Sequence, residues 1–199
     1  MDRKVDIITI PWGINKEVVA ISTALAKAGK AGIISLGAGA NTDTGRLDPF
    51  PAYSSEVIGI GSSNAFGNPS QLSSWFMPLG FCAFGEAVLG AGRPPPDTGK
   101  GKQPMRYVVR KSGASIATCV ATGLAAMVMD YVRCFLDEKI IKWDTPRMVE
   151  FFSKMSESTV CRFYHYVSPW CFFGPNQETE EIAKELMARK LPLASKPSI

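Results

Sequence analysis

The sequence predicts an α/β domain with a mainly parallel sheet, followed by C-terminal helices. Three observations carry this reading. Two β-branched apolar runs, at 5–10 and 31–36, flank a helical stretch, and a strand–helix–strand unit of this length implies parallel strands joined by a right-handed crossover. A run rich in Ala, Val and Met at 115–136 has the length and composition of a helix buried against a sheet. Between them lie short apolar runs of strand length, separated by turn residues.

Residues 5–10 alternate little, as expected of a strand covered on both faces. Pro11-Trp12-Gly13 ends that strand, and Asn15 is a suitable N-cap for a helix over 16–27. Val18, Val19, Ile21, Leu25 and Ala26 fall on one face of it. Gly29 and Gly32 bracket the turn into the second strand, which leads to the small-residue loop Gly37-Ala38-Gly39-Ala40-Asn41. Further strands are expected at 57–61, 71–73, 81–84, 87–89 and 107–110, with a Gly/Pro-rich loop at 90–101. Ser115 opens the long helix. Thr145 is a suitable cap for a helix over 146–155, and Asn176 for one over 178–189 with an apolar stripe at Ile182, Leu186 and Met187. The tail from 191 is expected to fray. The chain divides into 1–142, an aromatic helical extension at 143–175, and a terminal helix with tail at 176–199.

Bulk properties narrow the function classes. Of 199 residues, 46% are hydrophobic and 20% charged, the balance of a globular domain. The net charge of +4 is spread along the chain and makes no case for nucleic acid. The densest basic stretch, Lys100, Lys102, Arg106, Arg110 and Lys111, reads as a solvated loop. No secretory signal is visible, and the longest apolar run, 116–129, stops at Asp130, too short for a bilayer. Cys82, Cys119, Cys134, Cys161 and Cys171 form no C-x-x-C pair, which fits free thiols in a reducing, intracellular and cytoplasmic setting. With His165 as the sole histidine, neither a metal nor a cofactor is expected. The aromatic cluster Phe163, Tyr164, Tyr166, Trp170, Phe172 and Phe173 is expected to cover core surface.

The segment Ser112-Gly113-Ala114-Ser115-Ile116-Ala117-Thr118-Cys119, followed by Ala121-Thr122-Gly123-Leu124-Ala125-Ala126, resembles the nucleophile segment of the subtilisin-like serine peptidases (subtilases, of the S8/S53 type). Asp6 through Gly13 is similar to that family's cleft-lining strand, and Ala38-Gly39-Ala40-Asn41 to its oxyanion-hole loop. Pro51 to Gly61, Ser70 to Ser74, and Phe84-Gly85 continue the likeness in the family's order over residues 5–133. The resemblance implies a partial subtilisin-like α/β/α sandwich. It implies Ser115 as nucleophile and Asn41 as oxyanion donor. Pro11, Trp12, Gly13, Ala38, Gly39 and Ala40 would then bind an extended peptide or protein substrate by strand addition. The stretches 143–152 and 164–170 resemble the tail of subtilase domains embedded in large intracellular fungal proteins, which implies a fungal setting.

The sequence departs from the family where the chemistry is most demanding. The family's Asp and His motifs precede the first matched strand, and no counterpart occurs in this sequence. His165, far downstream in Tyr164-His165-Tyr166, reads as packed aromatic structure rather than as a base. Ala114, Cys119 and Ala40 replace the usual Thr, Pro and Gly. The resemblance therefore implies a truncated peptidase unit, inactive alone, whose Asp and His come from another chain or an N-terminal segment. The alternative is a pseudopeptidase that binds peptide or protein without turnover. A nucleotide-binding α/β domain is a remote third, because Ile33 to Gly39 runs into G-x-G but Thr42 stands at the third glycine position.

Overall fold

The computed structural model describes residues 4–40, 49–70, 80–92, 108–137, 141–158, 165–174 and 178–189. The expected strand at 71–73, Asn41, Asn176, most of the 90–101 loop and the tail lie outside the described residues.

The chain runs β1 (Ile7–Ile10), α1 (Val19–Lys30), β2 (Ile34–Ala38), β3 (Val57–Ser63), β4 (Phe81–Phe84), β5 (Val88–Ala91), β6 (Val108–Lys111), α2 (Ala114–Arg133), α3 (Thr145–Lys154), β7 (Ser156–Ser158), β8 (His165–Val167), a 3-10 turn at Pro169–Cys171, and α4 (Thr179–Ala188). The main sheet has the order β1-β2-β3-β4-β8-β7. Its first five strands are parallel and β7 is antiparallel to β8. β5 and β6 form a separate antiparallel pair. The architecture is α/β with a mainly parallel sheet, as the sequence predicts.

Strand side chains alternate between two covered faces. Ile34, Leu36, Ile58, Ile60, Phe81 and Ala83 point to the face packed by α2, whose buried positions are Ala114, Ala117, Thr118, Ala121, Ala125, Val128, Met129 and Val132. Ile8, Ile10 and Val57 point to the other face and meet Ile21 and Leu25 of α1. By length and composition α2 could cross a bilayer, which goes beyond the apolar run counted from sequence. Here one side of it lies buried against the sheet.

An aromatic layer closes the α2 side. Phe81 meets Phe152 edge-on, Phe151 meets Phe172, and Phe173 meets Tyr131 of α2. Phe151, Phe152 and Met148 of α3 have no exposed surface. Thr179 donates its hydroxyl to Phe172 O at 2.7 Å, which anchors the start of α4 to this layer. The region read as an aromatic helical extension thus also supplies β7 and β8, which join the main sheet.

Helix starts differ from the sequence reading in three places, each with a local cause. α1 begins at Val19 rather than near Lys16, because Ile14 is held in a reciprocal pair of backbone hydrogen bonds with Phe50 (2.8 and 2.9 Å). That extended pairing keeps Asn15 from acting as the cap. α2 begins one residue before Ser115, after Gly113 at φ 135°, a conformation open to glycine. α3 is capped by Asp144, whose carboxylate accepts from Arg147 N at 2.8 Å, with Pro146 in the first turn.

Candidate active site

Because β1 to β4 are parallel, their carboxyl ends share one edge of the sheet, the edge at which open α/β folds place their sites. Pro11, Trp12 and Gly13 follow β1. Gly39 and Ala40 follow β2, Ser62 and Ser63 end β3, and Gly85 follows β4. The start of α2 is pinned to this edge: Gly113 N donates to Gly85 O at 2.9 Å, and Gly85 N donates to Ser63 O at 2.9 Å. A side chain at Gly85 would meet Ser62 Oγ at 2.5 Å and Ala117 Cβ at 2.8 Å, so only glycine permits this approach.

Ser115 is the second residue of α2 and is half-buried. It is not an N-cap; that position belongs to Gly113, which has no side chain to offer. The Gly113 carbonyl accepts from Ile116 N and Ala117 N at 3.0 and 3.1 Å. No acceptor among the described residues takes the Ser115 N–H. This uncapped first turn, with the positive end of a 20-residue helix behind it, is suited to an anionic oxygen. A hydroxyl and a backbone donor therefore sit side by side, the pairing that acyl-transfer chemistry needs at its tetrahedral intermediate.

The other predicted residues fall as follows. Ala38 is buried and pairs with Ile60, and Gly39 N donates to Ile60 O at 2.9 Å, which fixes the loop that leads to Asn41. Ala40 is half-buried, and Asn41 itself lies outside the described residues. Trp12 is 49% exposed beside the end of β1, available to a ligand. Gly13 has a packing reason of its own, since a Cβ there would approach Pro49 Cβ to 2.5 Å. The backbone of Ile14 is already engaged by Phe50, so a peptide adding to this segment has only its first three residues to pair with.

His165 does not join the group. It pairs with Phe81 at the start of β4, its ring 6.0 Å from that of Phe81. Gly85 lies beyond the far end of the same strand. Four residues of strand, roughly 13 Å, therefore separate the level of His165 from the level at which α2 begins. No side chain among the described residues hydrogen-bonds the Ser115 hydroxyl. Cys82 is no substitute nucleophile. It packs with Tyr166 on the face away from α2, and burial pushes its thiol up to about 12, the nearby Ser63 hydroxyl acting in the opposite direction. Among the described residues no group of three or more His, Cys, Asp and Glu side chains is placed to hold a metal ion. Sequence reasoning quoted Gly85 without seeing its part in the site; the signal was an isolated glycine directly after an apolar strand.

Neither a protein-family model nor a curated protein matches this sequence. Solved structures do share its fold. The self-cleaved protease domain of PatA matches with a TM-score of 0.67 at 20% identity, covering 90% of this chain and 62% of that one. The PatG macrocyclase in complex with peptide gives 0.65 at 20% identity, covering 92% and 52%. The prenylagaramide maturation protease PagA gives 0.60 at 21% identity, covering 76% and 52%. The chain thus spans only 52% to 62% of the length of these structures. Its fold is one found in protease and macrocyclase domains, in agreement with the subtilisin-like architecture that its motifs imply.

Proposed function

We propose that this chain is the nucleophile-bearing part of a subtilisin-like serine peptidase unit. In this reading the carboxyl edge of the sheet holds an extended peptide. Trp12 and the backbone of 11–13 flank it on one side, Gly39 and Ala40 on the other, and Ser115 faces the reacting carbonyl. The observation that carries the reading is the Gly85–Gly113 hydrogen bond, which sets the uncapped start of α2, and Ser115 with it, at the same edge as the other predicted residues. The peptide in the PatG macrocyclase structure supports peptide as the ligand class.

The chain by itself is inactive in this reading. A serine hydroxyl is a poor nucleophile at neutral pH without a base to take its proton, and His165 lies at the other end of β4. The Asp and His come from outside these residues. Removal of a triad leaves only oxyanion and binding contributions, roughly 10³ to 10⁴ over water. Ser115 would attack the carbonyl carbon as the external base takes its proton. The amide bond would then break as that proton passes to the leaving nitrogen.

The test combines a fluorophosphonate probe with a blocked hexapeptide library, both applied to the purified, folded chain. Ser115 is expected to react no faster than the Ser115→Ala background, while peptide shifts the Trp12 and Gly39 resonances. Rapid labelling of Ser115 would overturn the inactive-alone reading. Absence of any peptide effect at Trp12 and Gly39 would overturn the site. Peptide binding that persists with no labelling, even when active relatives supply the missing half, would favour the second reading, a pseudopeptidase that binds without turnover.

A further inference from the structure

A cleft of about 770 Å³ opens at the end of the molecule opposite Ser115. Its size is that of a small-molecule site. It lies where β1 begins, where α1 and α2 end, and where the linker into α3 passes. Four cationic side chains line it: Lys4 before β1, Lys30 at the last position of α1, Arg133 at the last position of α2, and Lys142 in the linker. Two carboxylates also line it, Asp6 and Asp144, and both are committed. Asp6 accepts from Arg133 at 2.8 Å. Asp144 caps α3 at Arg147 N and pairs with the Arg147 guanidinium. Lys4, Lys30 and Lys142 are exposed and have no ion-pair partner among the described residues. Three ammonium groups from three separate segments, none in an ion pair among the described residues, thus line one concavity.

Their convergence is built into the backbone. Gly32 sits at φ +78°, and a Cβ there would approach the Trp143 carbonyl to 3.1 Å, so the linker is pressed against the end of α1. The carbonyls at the end of α1 are turned back on the chain: Ala31 N, Gly32 N and Ile33 N donate to Lys27, Gly29 and Ala28 at 3.0 to 3.1 Å. Three carbonyls at the end of α1 are thereby satisfied within the chain. Trp143 lines the cleft at 8% exposure, and its buried indole N–H has no acceptor among the described residues.

We propose that this cleft binds a small ligand bearing two or more anionic oxygen groups, of the phosphate or polycarboxylate kind. The ammonium groups supply attraction that weakens with salt, and the small residues at the end of α1 leave room for close approach. The site is independent of the peptide edge.

Calorimetric titration of the full chain with inorganic pyrophosphate at low ionic strength tests it. Saturable binding is expected, at least tenfold weaker in Lys30→Gln/Lys142→Gln and unchanged in Lys16→Gln/Lys111→Gln, which removes the same charge elsewhere. The wild-type indole resonance of Trp143 is expected to shift during the titration. A parallel titration with citrate separates the sources: binding of both probes supports a general polyanion site, and binding of pyrophosphate alone supports a phosphate ligand. Failure of both probes to saturate, equal weakening in the two variants, or a stationary Trp143 indole overturns the proposal.

Discussion

A methyl group on Gly85 would stand 2.5 Å from Ser62 Oγ, 2.8 Å from Ala117 Cβ and 3.0 Å from Gly113 O. The Ser62 hydroxyl can rotate, but Ala117 Cβ and the Gly113 carbonyl are fixed to the helix backbone, so the strand end and the helix start would have to part. Gly85→Ala is therefore expected to cost about 2–3 kcal/mol, read as a lower urea midpoint. It should also blunt any peptide response at Ser115, because the Gly113–Gly85 hydrogen bond is what sets that residue's position. At this scale the sequence was informative about chemistry and less so about packing. Ser115 and Gly39 could be singled out because their types and order matched a known pattern. The need for glycine at 85 depends on Ala117 and Ser62, residues distant in sequence, so an isolated glycine after an apolar strand marks a close approach without revealing its partners.

Elements were legible where their patterns were long. α2 matched its expected range to within a few residues, because 20 residues of helix formers with small apolar positions admit few alternatives. β7 and β8 were missed. Each has three residues, too few for a period to show, and β8 exists because Tyr166 and Val167 find buried places beside β4. Caps were the other weak point: Asp144, not Thr145, closes α3, and the choice between adjacent polar residues depends on where the backbone turns extended. Asp144→Ala is expected to destabilise the protein by about 1 kcal/mol through loss of the bond to Arg147 N. A thermal melt measures it, and Thr145→Ala, which removes no cap bond, should cost less.

For the molecule as a whole, the sequence implied the parallel sheet through one strand–helix–strand unit, and the structure extends that sheet to six strands. The aromatic layer under α3 was expected to be core in character. Its partners were not readable, since Phe81 meets Phe152 across more than 70 residues of chain and Phe151 meets Phe172 across about 20. Stability should also fall at alkaline pH. The Cys82 thiol is neutral in the folded protein up to about 12, against an ordinary value of 9.0. Above pH 9 the unfolded chain has lost this proton and the folded chain retains it. The cysteine's contribution is thus full below pH 9 and declines, by up to about 1.4 kcal/mol per pH unit, as pH rises towards 12. Urea melts of wild type and Cys82→Ala between pH 8 and 11 check this, the variant showing the shallower decline.

The composition of the α2 seam has a consequence for how the molecule responds to strain. The buried positions in its first three turns are Ala114, Ala117, Thr118, Ala121 and Ala125, and those in its last two are Val128, Met129 and Val132. Alanine has no rotamers to lose or to exchange, so the half of the helix that carries Ser115 fits the sheet in one way only. The other half includes Met129, whose three rotatable bonds let it settle into more than one arrangement. One helix thus carries a stiff end and a more compliant middle: the geometry at the serine is held by shape, while the packing around Met129 can take up small displacements.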